Sequence, residues 1–148
     1  MNVNQAIAEM LSLAGSIEPA SQAAGTYATG PIDTMIHRRL LFVVSAGVVA
    51  GGASLAFSLT SGATAGGVFA PVVGLAAPAP PITVAGNKVL FEVRVEALLN
   101  AGAGRYVKGQ VVVAGGTAAF AVECYGAIDR YMPASDYNMG AVQAVVLN

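Results

Sequence analysis

The chain has 148 residues, and 10% of them are charged, where about 25% is usual for a soluble domain. The net charge of −1 lacks the basic excess of a nucleic-acid-binding surface, and the single cysteine, Cys124, excludes an intramolecular disulfide. With 55% hydrophobic residues and a mean hydropathy of +0.66, we expect a folded chain whose surface is largely covered by copies of itself or by a partner.

The first thirty residues predict an N-terminal arm or short helix followed by a loop. Val3, Ile7 and Met10 share one face at helical spacing in residues 2–14, which favours a short helix, with an extended arm as the alternative. Residues 15–31 are small, polar and rich in glycine, as is typical of a loop or arm. The start lacks the basic segment of a secretory signal.

The stretch from Leu40 to Leu59 has two interpretations. Residues 40–87 contain no Asp, Glu, Lys, Arg or His, and about 20 apolar residues are enough for a membrane-spanning helix. Against that, apolar residues alternate on both sides of the pair Gly51 and Gly52, which favours two strands joined as a hairpin with a longer loop. We therefore expect no membrane association, and a first long strand region from Ile32 to Ser45.

The rest of the chain predicts further strands. The proline-rich residues 61–87 indicate a long connection with short strands near Val68–Val73 and Ile82–Val84. Val89–Leu99 alternates throughout, with Phe91 directed inward, so Phe91→Ala is expected to cost about 3–5 kcal/mol. Three more strands are indicated: residues 105–113, residues 118–126 after a tight hairpin turn at 114–117, and residues 141–147.

These elements predict an all-β fold. About seven or eight strands with glycine turns are typical of an antiparallel β-sandwich, jelly roll or barrel. We assign residues 31–148 to a β-sandwich (jelly-roll) domain and residues 1–30 to the N-terminal arm or short helix and loop.

The sequence offers little chemistry. His37 is the single histidine, a Ser-His-Asp relay would require it, and no GxSxG motif is present. No ligand spacing for zinc or calcium occurs, and Cys124 lies in an apolar alternating run, as a buried, inert thiol would. We predict no enzyme activity, no catalytic residue, no metal and no cofactor.

Several segments, taken in order, are similar to a known family. They are TYATGPIDTMIHRRLLFVVSAGVV (residues 26–49), GGVFAPV (66–72), VLFEVRVEAL (89–98), RYVKGQVVVAGG (105–116) and DRYMPASDYN (129–138). With these five segments the chain resembles a family of small tailed-bacteriophage virion proteins, the jelly-roll capsid cement (decoration) proteins.

The resemblance implies a structural protein of the virion that is made in the host cytoplasm, binds the outside of the phage head and stabilises it. Its expected partners are the major capsid protein and copies of itself, as a dimer or trimer, without nucleic acid. The candidate interface residues are His37, Arg38, Arg39, Tyr131, Asp136 and Tyr137. A tail or head–tail connector component is the alternative, and a small holin-like membrane protein is a third hypothesis.

Overall fold

The computed structural model describes residues 10–73 and 80–127. In these ranges two antiparallel sheets face each other, the first in the order β1-β9-β4-β7 and the second in the order β2-β8-β5-β6, with β3 also paired to β8. The elements are β1 Leu11–Gln22, β2 Gly25–Ala28, β3 Ile32–Asp33, β4 Arg39–Val49, β5 Ser54–Gly62, β6 Ala70–Pro71, β7 Lys88–Arg94, α1 Val95–Asn100, β8 Tyr106–Ala114 and β9 Ala118–Ala127.

The strand order is that of a jelly roll. β2 and β3 pair in succession with β8 and together act as one interrupted strand. Apart from the step from β5 to β6, each later connection then carries the chain from one sheet to the other, as in the double-sheet jelly roll. The predicted all-β sandwich is confirmed.

The stretch from Leu40 to Leu59 forms strands β4 and β5. Leu40, Phe42 and Val44 point inward from the first sheet, and Leu55 and Phe57 do so from the second. Among residues 10–73 and 80–127, no helix is long and apolar enough to cross a membrane. The two-strand interpretation is confirmed.

Both predicted hairpins are wrong, because each turn joins strands of different sheets. β4 pairs with β7 and β9, whereas β5 pairs with β8. The turns at 50–53 and 114–117 are therefore arches over the core. The Ala50 N–H donates to the Thr117 carbonyl at 3.0 Å, and a Cβ on Gly115 would overlap with the Gly52 carbonyl. Both glycines have positive φ, +82° at Gly52 and +74° at Gly115.

The N-terminal part differs from its prediction. β1 is an edge strand paired with β9, so residues 11–28 belong to the sandwich, and the helix predicted over 2–14 is wrong from Leu11 onward. Residues 2–9 lie outside the described ranges. The inward positions of β1 include Ser12 and Gly15, which are buried but are neither large nor apolar. The alternation of apolar and polar residues that marks a strand is therefore missing from the sequence of β1. Pro19 lies at a register shift, which an edge strand tolerates.

The strand predicted over Val89–Leu99 ends at Arg94, and α1 follows it. Val95 and Leu98, three residues apart, are the buried residues of α1, and this is helical spacing. Gly102, at φ +76°, follows the helix end as C-terminal glycines commonly do. The predicted strand Ile32–Ser45 is likewise interrupted, by a turn over residues 34–36.

Other strand predictions are confirmed. β6 pairs with β5, and Ile82 forms a bridge to Leu55, near the two short strands expected in residues 61–87. β8 and β9 occupy the predicted ranges. They direct inward the predicted residues Val107, Val111, Val113, Phe120, Val122 and Cys124. The strand predicted at 141–147 lies outside the described residues.

The core is centred on aromatic rings from both sheets. The Phe42 and Phe57 ring centroids are 5.3 Å apart, and those of Phe57 and Phe91 are 5.5 Å apart. Gly109 lies opposite, where a Cβ would come within 2.8 Å of Phe42 Cε1 and 3.0 Å of Phe57 Cε2. The middle of β8 therefore has no side chain, and the two rings occupy that space.

We expect Phe42→Ala to lower the free energy of unfolding by about 3–5 kcal/mol, because Phe42 is fully buried. Phe91 is half-buried against the core, so Phe91→Ala should cost clearly less, contrary to its sequence-based estimate. Urea unfolding measures both. Val112→Ala, at an exposed position, is the control and should change the value by less than about 0.5 kcal/mol. Equal losses for the two phenylalanines would contradict this core assignment.

Candidate interaction surface

The titratable side chains of the described residues do not form a metal-binding group. In residues 10–73 and 80–127, no cluster of three or more His, Cys, Asp or Glu side chains is present. Cys124 is fully buried, and this burial raises the pKa of its thiol. Since the thiolate is the reactive form, the inert buried thiol predicted from the sequence agrees with its position.

A polar clamp ties the turn after β3 to the start of β8. Arg105 donates to both oxygens of the Asp33 carboxylate, from Nε at 3.0 Å and from the terminal nitrogen at 2.6 Å. The Met35 N–H donates to the same carboxylate at 2.9 Å, and the Thr34 hydroxyl donates to the Arg105 carbonyl at 2.7 Å. The Arg105 guanidinium holds the pKa of Asp33 below its usual range.

His37 is buried beside this clamp. It is 3% exposed, and its imidazole lies against the backbone of Gly126, where a Cβ would overlap with the ring. Asp33, one of the three aspartates that a catalytic relay could use, is engaged by Arg105. This arrangement fits a structural histidine. Because so little of its surface is exposed, His37 can contribute almost no contact area to an interface with a partner.

Of the other predicted interface residues, Arg38 and Arg39 lie in the described ranges. Arg38 is exposed, and Arg39 forms an ion pair with Glu92 on the neighbouring strand, at 3.2 Å. Tyr131, Asp136 and Tyr137 lie outside the described residues. What the structure brings together on the surface comes instead from the outward positions of the strands.

The outer face of the first sheet mixes apolar and charged side chains. Across the sheet, Leu13, Tyr125, Leu41 and Glu92 form one row. Glu123, Val43 and Leu90 form the next row. The Tyr125 hydroxyl donates to Glu123 at 2.8 Å, and burial together with this carboxylate raises the pKa of Tyr125 to about 12. Charges on all four of its strands, including Glu18 on β1, keep this face hydrated.

The outer face of the second sheet is small and nearly uncharged. Thr26, Val112 and Ala56 form one row, and Ala28, Gln110 and Ser58 form the next. Lys108 is the one charged side chain in β2, β5, β6 and β8, and its Nζ lies 4.0 Å from the centre of the Phe69 ring. We call the six residues of these two rows the neutral face. The sequence alone does not reveal this face, because the outward sides of β2, β5 and β8 come together only in the folded sheet.

Comparisons with known proteins leave the family open. No protein-family model matches the chain, and no curated protein matches it. Among solved structures, a chain of "Structure of infectious bursal disease virus Gx strain" matches with a TM-score of 0.41 and 14% identity, over 83% of this chain and 34% of that chain. With values this low, neither the fold nor the function rests on the likeness.

The clamp predicts a pH-dependent contribution to stability. Because the pKa of Asp33 is lowered in the folded state, the contribution is present above the unfolded value of about 3.9 and is lost as pH falls through the folded value. Asp33→Asn should therefore lower the urea midpoint at pH 7, and the gap to the wild-type protein should close below about pH 4. Arg38→Gln, at an exposed position, is the control and should leave the midpoint unchanged. A gap that persists unchanged at acid pH would contradict this role.

Proposed function

We propose that this protein is a structural component of a bacteriophage particle, a capsid cement protein that binds the outside of the head. The resemblance suggests the particle, and four of its five segments lie within the described ranges: residues 26–49, 66–72, 89–98 and 105–116. The neutral face suggests how such a protein would bind.

The neutral face is the observation that carries this proposal. Hydration of charged groups opposes their burial, so a surface with few charges loses little when a partner covers it. Small side chains on two neighbouring rows also allow a partner's backbone to approach closely. Stable interfaces bury on the order of 1,200–2,000 Å², and the neutral face extends across three neighbouring strands, β2, β8 and β5. The first sheet, with charges on β1, β4, β7 and β9, is less suited to it.

We propose the major capsid protein as the partner of the neutral face. A cement protein acts by the area that it covers across neighbouring shell subunits, and repeated copies add through multivalency. The membrane-protein alternative has no support in β4 and β5, which are strands whose inward side chains, such as Phe42 and Phe57, lie in the core. The tail or connector alternative predicts a different copy number.

Particle composition tests the proposal directly. In purified particles made from the genome that encodes this chain, quantitative mass spectrometry should find it at a fixed ratio comparable to that of the major capsid protein. A copy number equivalent to a single ring would favour the connector alternative. Particles that lack the chain would overturn the proposal.

The surface assignment has its own test. We expect Ala56→Glu combined with Ser58→Glu to weaken binding of the purified protein to particles stripped of it by at least about tenfold, because the interface would bury uncompensated charges. Both positions are exposed, so the fold should survive, and urea unfolding checks this. The matched control is Ser21→Glu, which is exposed on β1 in the first sheet and should bind as the wild-type protein does. Unchanged binding of the double variant would exclude the neutral face.

A further inference from the structure

The outer edge of β7 has backbone groups without partners among the described residues. β7 lies at the end of the first sheet, paired with β4 on one side. The Val95 N–H donates to the Arg38 carbonyl and the Ala46 N–H donates to the Asn87 carbonyl, each at 3.0 Å. Hydrogen-bonded pairs recur at every second residue of an antiparallel ladder. The residues whose N–H and C=O point away from β4 are therefore Lys88, Leu90, Glu92 and Arg94.

The side chains of these four residues are all exposed. Leu90 is 69% exposed, although it lies in the middle of a regular strand. Charged residues on an edge strand usually discourage pairing with another chain. If all the charges on β7 had one sign, they would repel a second copy of β7 in every register. Because β7 carries two positive residues, Lys88 and Arg94, and one negative residue, Glu92, the repulsion depends on the register.

We infer that two copies of this protein associate through β7, antiparallel about a twofold axis, with Leu90 of one copy opposite Leu90 of the other. In this register Lys88 of each copy faces Glu92 of the second copy, on both sides of the central leucine pair. The residues that face each other are those whose N–H and C=O groups point to the open edge, so the ladder continues without a break. Such a twofold contact is self-complementary, as isologous interfaces must be.

Neighbouring registers are disfavoured by charge. Centred on Phe91, the pairing would place Lys88 opposite Arg94. Centred on Glu92, it would place Glu92 opposite Glu92. Centred on Val89, it would place Lys88 opposite Leu90 and leave the lysine without a counter-charge. Like charges directly opposite are destabilising in a sheet, and opposite charges contribute favourably. Among these four registers, the one centred on Leu90 alone places Lys88 opposite Glu92 and places no like charges opposite each other.

The pair should be weak, because a single strand edge buries less than a standard interface. The Arg39–Glu92 ion pair within each chain does not prevent it, since both side chains are about half exposed and exposed pairs are held weakly. The inference does not require the proposed capsid role, because the neutral face and the β7 edge are separate surfaces.

Charge exchange tests the pairing. Sedimentation velocity over a concentration series of the full chain should show a reversible monomer–dimer equilibrium. Lys88→Glu alone and Glu92→Lys alone should each weaken dimerisation by at least tenfold, because each places like charges opposite. An equimolar mixture of the two single variants should dimerise again, since position 88 of each copy then faces an opposite charge at position 92 of the other. Leu90→Lys should abolish the dimer.

The control is Arg94→Glu. In the Leu90-centred register position 94 lies opposite Gly86, so dimerisation should be unchanged. In the Phe91-centred register it would be strengthened, which would overturn the register proposed. The pairing itself would be overturned if the wild-type protein stayed monomeric. It would also be overturned if the Lys88→Glu and Leu90→Lys variants dimerised as well as the wild-type protein. Particle binding of Lys88→Glu, measured separately, should persist, so failure of the pairing is distinguishable from failure of the capsid role.

Discussion

The contact between the two arches is the constraint on which the rest of the sandwich depends. Gly115 approaches the Gly52 carbonyl so closely that no side chain fits, and the Ala50–Thr117 hydrogen bond joins the same two turns. Because the arches lie side by side, the strands that leave them also lie side by side. β4 is thereby placed next to β9 in one sheet, and β5 next to β8 in the other. These four strands supply most of the buried side chains, including the Phe42–Phe57 pair.

The sequence predicted the strands better than their partners. β4, β5, β8 and β9 each place large apolar residues on one face and small or polar ones on the other, so alternation located them. β1 was missed because its inward positions hold Ser12 and Gly15. α1 was missed because Val95 and Ala97 continue the alternation of β7, while a single helical turn adds just one further buried residue, Leu98. The arches were read as hairpins because a glycine turn has the same local sequence in both; what distinguishes them is a contact with a distant turn.

The candidate surface could be predicted only in its overall chemistry. The low charge indicated that some surface is covered, but not which one. Of the charged side chains in the described strands, most belong to the first sheet, and the second sheet has Asp33 near one end and Lys108 beside Phe69. This uneven distribution appears only after the chain is sorted into two sheets. His37 was chosen for its neighbours Arg38 and Arg39, yet the absence of a side chain at Gly126 lets it turn inward.

The two proposed contacts are geometrically compatible. A twofold axis that pairs β7 with β7 runs perpendicular to the first sheet, because antiparallel neighbours in one sheet direct equivalent side chains to the same side. Both copies of the second sheet then lie on one side of the extended sheet, and their neutral faces point in the same general direction. A shell surface could therefore engage both faces of a pair at once, and the second contact would form at a high effective concentration. A weak edge contact would be sufficient on the proposed shell, since the shell would hold the copies close together, and the mixed charges of β7 would then select one register from several.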